Sequence, residues 1–246
     1  MNIAVVLYGQ PRDYKRGYNN IMSFLNSKAD FFYHSWKLNE NEVYKHSPWR
    51  ALDQNTLVYN EQIITDLKKL YNPISYEIEI QSNITFDESL YVNTLAFNNT
   101  KGEKVSNINN TLFQMYSRNK ARNLLNIYLN NSKIHYDLVM TLRFDITSMP
   151  EINFNEIDIS KTYVSDVHCP RKTIPDNCII TPTQVYLKWF NIYDSLHDIL
   201  DNKELAENVT TLGENININA EELIFAKYIF HYKNTDNIRY FKGGVI

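Results

Sequence analysis

The chain has 246 residues, 43% hydrophobic and 22% charged, which suits one compact α/β core and leaves too little for two large independent domains. Its net charge of −3 and pI near 6.1, with Lys and Arg scattered, exclude the basic field that nucleic-acid binding needs. No run reaches the roughly 20 apolar residues of a membrane span, and Cys169 and Cys178 make neither a disulfide framework nor a zinc spacing.

Ile3 to Leu7 is a short apolar run rich in β-branched residues and ends at Tyr8-Gly9-Gln10-Pro11-Arg12. This reads as a buried parallel strand followed by a turn. It begins without a charged leader, so a reducing cytosol is the expected compartment. A helix should follow through Tyr18, Ile21, Met22 and Leu25. Ala29 to Trp36 reads as a second strand, Thr56 to Leu70 as a helix ending before Asn72-Pro73, and Ser75 to Ile80 as an alternating third strand. Residues 82–110, rich in Asn, Ser and Thr, lack periodicity and are expected to be a loop or irregular insertion.

Thr111 to Asn131 carries a long helical pattern, with Leu112, Met115, Tyr116, Leu124, Ile127 and Tyr128 on or near one face. An apolar strand from Tyr136 follows and closes on Arg143-Phe144-Asp145. Tyr163 to Val167 predicts another strand. Pro175-Asp176-Asn177 predicts a turn into Ile179 and Ile180. Helices are expected over Gln184–Leu200 and from Ala220 to about Phe230, with a loop over 201–218. Strands alternating with helices predict an α/β fold with a central, mostly parallel sheet flanked by helices. Such sheets bind ligands beyond the carboxyl ends of their strands. The turn after Leu7, the end of the second strand, and Arg143 to Asp145 are therefore the places to look for chemistry.

Several motifs in order carry a resemblance. They are the opening Ile3 to Arg12, Asp30-Phe31-Phe32-Tyr33-His34-Ser35-Trp36, Gln114-Met115-Tyr116-Ser117, Tyr136-Asp137 through Arg143-Phe144-Asp145, Pro175-Asp176-Asn177, and Asn219-Ala220-Glu221. Together the set resembles a group of sugar transferases of bacterial capsule, lipopolysaccharide and large-virus glycan synthesis. The resemblance implies a GT-A-like Rossmann-type fold, with a nucleotide-sugar-binding part over about 1–147 and an acceptor-binding part over about 148–246. It also implies a nucleoside diphosphate sugar as donor, a glycan hydroxyl as acceptor, and a divalent cation, Mn or Mg, where the strand-end acid binds one.

In that setting Asp145 is the first candidate. Enzymes of this kind usually end the strand in Asp-x-Asp to hold a metal against the donor diphosphate, and here Arg143 replaces the first Asp. Either Asp145 alone holds a divalent ion, since Mg²⁺ often takes one or two protein carboxylates, or Asp145 binds the donor ribose directly, or Arg143 clamps the diphosphate without metal. A plain Arg143–Asp145 ion pair is the structural alternative. Gly9 allows a close backbone approach, Gln10 offers an amide to base or ribose, and Arg12 offers a cation to diphosphate. His34 and Trp36 are either ligand contacts or core. Glu221, opening a late helix, is the candidate base, with Asp176 next. First-turn acids also stabilise a helix through its dipole, which is the alternative for Glu221 and Glu222. A non-catalytic nucleotide-sugar or glycan-binding module on the same fold is the rival reading. The absence of G-x-G-x-x-G and P-loop motifs disfavours dehydrogenases, NTPases and methyltransferases.

Overall fold

The structure is a computed structural model and describes residues 1–25, 29–44, 57–95, 108–149, 151–165, 174, 177–204, 220–233 and 235–241. Its centre is a seven-stranded sheet. The strands are Ile3–Gly9 (β1), Asp30–Lys37 (β2), Ser75–Ile80 (β5), Leu138–Arg143 (β6), Thr162–Ser165 (β7), Cys178–Pro182 (β8) and Ile238–Phe241 (β9). Val43–Tyr44 (β3) and Leu57–Val58 (β4) form a separate antiparallel ribbon. The helices are Tyr14–Leu25 (α1), Glu61–Tyr71 (α2), the single turn Ser89–Val92 (α3), Ile108–Asn131 (α4), Thr183–Trp189 (α5), Leu196–Asp201 (α6) and Ala220–Tyr232 (α7).

Strand order is β5-β2-β1-β6-β8-β7-β9. The first four of these strands are mutually parallel, β8 runs against both β6 and β7, and β9 is parallel to β7. The expected mostly parallel α/β sheet is what the chain forms. From β1 the chain moves outward to β2 and β5, and then returns to place β6 on the other side of β1. The crevice between the carboxyl ends of β1 and β6 is thus a topological switch point, the usual ligand position in open α/β sheets.

β1, β2 and β6 are buried on both faces, which explains their continuous apolar sequences. Alternation divides the core. Val6, Tyr8, Phe32 and Val139 pack with Met115, Leu125 and Trp189 on one face. Val5, Leu7, Tyr33 and Met140 pack with Ile21, Ile63 and Leu67 on the other. Gly17 brings α1 against the backbone after β6: a Cβ there would lie 1.8 Å from the Phe144 carbonyl oxygen. Asn20 continues that clamp, its amide donating to the Ile146 and Thr147 carbonyls at 3.0 and 2.9 Å.

Four expectations change. The predicted helix from Thr56 begins at Glu61, because Leu57 and Val58 pair with β3 and the Tyr59 N–H donates to the Glu42 carbonyl. The predicted helix over Gln184–Leu200 is two helices joined by a 3₁₀ turn at Tyr193–Ser195. The Trp189 indole N–H donates to the Ile224 carbonyl, and the Ser195 hydroxyl bonds the Asn191 and Ile192 carbonyls, so the chain bends there to meet α7. The buried stripe of α4 includes the polar Ser117, Arg118 and Asn119, while Ile127 is 58% exposed. Within 82–110, a 3₁₀ turn and α3 form before α4 opens at Ile108, and residues 96–107 lie outside the described residues. Strand β9 has no counterpart among the expected elements. No helix among the described residues is long and apolar enough to cross a membrane.

Candidate functional site

The first loop leaves β1 at Gly9, whose φ of +95° lies in the left-handed region that glycine tolerates. A Cβ there would meet nothing within 4 Å, so backbone conformation rather than crowding requires the glycine. The Arg12 N–H donates to the Gln10 carbonyl at 2.8 Å and tightens the turn. The Arg12 guanidinium grips the Gln10 side-chain oxygen through Nε (2.8 Å) and Nη2 (2.6 Å). The Gln10 amide in turn donates to Gln81 Oε1 at 2.6 Å, just beyond β5. Gly9, Gln10 and Arg12 therefore form one braced unit.

Arg143 ends β6 beside Tyr8 of β1. Its Nε and Nη2 donate to Asp145 Oδ1 and Oδ2, both at 2.9 Å, in a parallel fork. The Asp145 side chain is 3% exposed and that of Arg143 is 22% exposed. A bidentate pair of this kind fixes the guanidinium plane and neutralises the carboxylate. The first and third loci of the sequence reading thus lie at one edge, on neighbouring strands.

Whether Asp145 suits a divalent cation follows from this pairing. Both oxygens are engaged, the carboxylate is nearly enclosed, and the nearest charge is positive. Hard cations want oxygen donors with net negative charge around them, and among the described residues no group of three or more His, Cys, Asp or Glu could hold a metal. The residues as arranged do not fit the cation that the resemblance implies.

His34 and Trp36 lie inside rather than lining an open cleft. His34 is fully buried; its Nε2 lies 2.8 Å from Glu79 Oε2 and its Nδ1 2.7 Å from Ser117 Oγ. Burial lowers its pKa, against the raising influence of the Glu79 hydrogen bond and the Glu79 and Glu77 charges, so it is neutral near pH 7. A carboxylate only accepts, so Nε2 carries the proton and Nδ1 accepts from the Ser117 hydroxyl. Ser117 Oγ also accepts the Gly9 N–H at 2.8 Å. Glu79 receives the Tyr116 hydroxyl at 3.2 Å, and Lys120 donates to Glu77 at 2.8 Å. Trp36 stacks on Tyr116, with ring centroids 5.5 Å apart. Arg118, also buried, lies over the Tyr8 ring and donates to its hydroxyl.

This network has a signed consequence. Unfolded histidine titrates near 6.5, so below about that pH the unfolded chain takes up a proton that folded His34 resists, and stability falls on acidification. His231, lowered by burial, acts with the same sign in the same window. Glu79, lowered by its hydrogen bond from His34, adds to the loss below its ordinary value of 4.5. Urea unfolding of wild type and His34→Gln at pH 7 and pH 5 should show a shallower pH dependence in the variant. Equal slopes would remove His34 as a source.

Cys178 is buried, and burial pushes its thiol up to about 12, so it is no nucleophile. Asp176 lies outside the described residues. Asn177 precedes β8, whose first residue pairs with Leu142 near the end of β6, so the chain enters β8 at the same edge as Arg143. Glu221 is the second residue of α7, whose Leu223, Ile224 and Tyr228 are buried as the periodicity requires. The side chains of Glu221 and Glu222 lie outside the described residues. Sequence reasoning missed Glu79, Gln81, Ser117 as a loop contact, and Arg118. The available signal was a run of polar residues, Ser117 to Asn119, in the middle of a helix otherwise read as apolar on that side.

No protein-family model matches the chain, and no curated protein matches it either.

Proposed function

We propose that the protein is a GT-A-like glycosyltransferase that moves a sugar from a nucleoside diphosphate sugar to a glycan hydroxyl. The observation that carries this reading is the pair of arginine-bearing loops, Gly9 to Arg12 and Arg143 to Asp145, at the switch point between β1 and β6. Two arginines on loops leaving adjacent strands at that edge bring positive charge suited to a diphosphate, with the Nε–Nη2 fork of each held by Gln10 and by Asp145. The ordered motifs of the sequence support the same reading.

In the proposed reaction the acceptor oxygen forms a bond to the anomeric carbon as the bond from that carbon to the diphosphate oxygen breaks. The nucleoside diphosphate leaves with the bonding pair, and the hydroxyl proton passes to the Glu221 carboxylate. The transition state has oxocarbenium character. Arg12 and Arg143 hold the departing charge, and Asp145 positions Arg143. The charge on the leaving group is met by arginine.

A calorimetric panel of UDP-, GDP- and dTDP-sugars, with S-adenosylmethionine as the contrasting ligand, tests the site. At least one nucleotide sugar should bind, and Arg12→Ala should weaken it by about 1.5–3 kcal/mol, the range for hydrogen bonds to charged groups. An unchanged dissociation constant takes Arg12 out of the site. Binding without transfer or donor hydrolysis, with Mn²⁺ present or absent, would leave the binding-module reading in its place.

A further inference from the structure

The geometry points to Ser117 as the positioning residue of the Gly9–Arg12 loop, held in that role by His34 and Glu79. This inference rests on the nucleoside diphosphate reading of the loop. Ser117 lies in the middle of α4 and is fully buried, yet its hydroxyl makes two close contacts outside its own helix and a long one, 3.5 Å, to the His34 carbonyl. It accepts the Gly9 N–H at 2.8 Å and faces His34 Nδ1 at 2.7 Å. Because neutral His34 donates from Nε2 to Glu79, only one direction satisfies every atom. Gly9 donates to Ser117, Ser117 to His34, and His34 to Glu79. A hydroxyl rotor that serves one donor and one acceptor cannot turn away without leaving a buried group unpaired.

The chain of bonds joins the end of β1 to α4, β2 and β5. Glu79 lies two residues before Gln81, which holds Gln10 from the other side. The loop is therefore pinned at its root through the Gly9 amide and at its second residue through the Gln10 amide. Gly9 sits at φ +95°, where an unpinned glycine has several alternatives of similar energy. Removing the root pin frees the backbone that carries Arg12, three residues on. The network also keeps charged Glu79, Glu77 and Lys120 together at half-buried positions, a costly arrangement for packing alone.

The experiment measures binding of UDP, GDP and CDP to wild type, Ser117→Ala, Arg12→Ala and the double variant, with thermal unfolding of each. Ser117→Ala should weaken the nucleotide that wild type prefers by about ten- to a hundredfold, the scale of a small misplacement of a binding group. In the Arg12→Ala background the same change should cost much less, because Ser117 acts through the loop that carries Arg12. Unchanged affinity in Ser117→Ala, or effects that simply add, would overturn the role while leaving the nucleotide site standing. A wild type that binds none of the three overturns the site and this role together. If Ser117→Ala fails to fold, hydrogen exchange of the Gly9 amide in wild type decides. Protection supports the pin, and exchange at the rate of an open loop overturns it.

Discussion

Glu221→Gln is expected to reduce transfer to the acceptor by about 10²–10⁴-fold, the usual worth of a positioned general base. Donor affinity should stay within a few-fold of wild type. Glu221 is the second residue of α7, a helix anchored by the buried Leu223, Ile224 and Tyr228 and by the Trp189 indole bonded to the Ile224 carbonyl. α7 leads into β9, whose first residue pairs with the first residue of β7. The helix therefore ends near the amino edge of the sheet, and its first turn is at the far end, toward the edge where β1 and β6 end. Glu222 is about 100° away around the helix and should have a separate role, so Glu222→Gln should change transfer much less. The measurement is the two variants side by side at saturating donor. A dead Glu222→Gln and an active Glu221→Gln would reverse the assignment, and activity in both would move the base to Asp176.

Asp145→Ala is expected to lose about 3 kcal/mol of folding stability, the lower end of the range for removing one partner of a buried ion pair. The lower end applies because Arg143 keeps 22% of its side-chain surface exposed and can recover some solvation. Asp145→Asn keeps the shape but offers Arg143 a neutral amide in place of the two-oxygen fork, so it should unfold cooperatively and lose most turnover. Activity of the native protein should survive EDTA, because the Asp145 carboxylate serves Arg143. EDTA-sensitive turnover restored by Mn²⁺ would show that Arg143 releases Asp145 to a cation. Near-native activity in Asp145→Asn would leave the pair with a structural role only.

Much of this fold could be read from the sequence. The two-faced apolar runs of β1, β2 and β6 and the spacing of Ile21 and Leu25 in α1 report burial and period directly. Those runs stop at Leu7 and at Arg143 to Asp145; β1 extends two residues further, to Gly9, and β6 stops at Arg143. The errors fell where tertiary contacts overrode local pattern: Leu57 and Val58 joined a ribbon, and the chain bent between Trp189 and Tyr193 to pack on α7.

For the site, the strand ends of an alternating sheet together with the resemblance brought Gly9, Gln10, Arg12, Arg143 and Asp145 to notice. The sequence left open whether Asp145 faces a cation or Arg143. Spacing of two residues puts both side chains on one side of an extended chain, but only the folded geometry sets how they meet: a fork with both distances at 2.9 Å around a nearly enclosed carboxylate. Nor does periodicity reveal that Ser117 reaches Gly9, 108 residues away in sequence. Hydropathy scores that serine as a polar interruption, and a hydrogen bond between distant elements leaves no trace in local pattern. Burial and period therefore determined the layers and the edge at which the candidate residues stand. The partner of each polar group on that edge was decided only when the strands and α4 came together, because hydrogen bonds depend on direction and distance between elements that are remote along the chain.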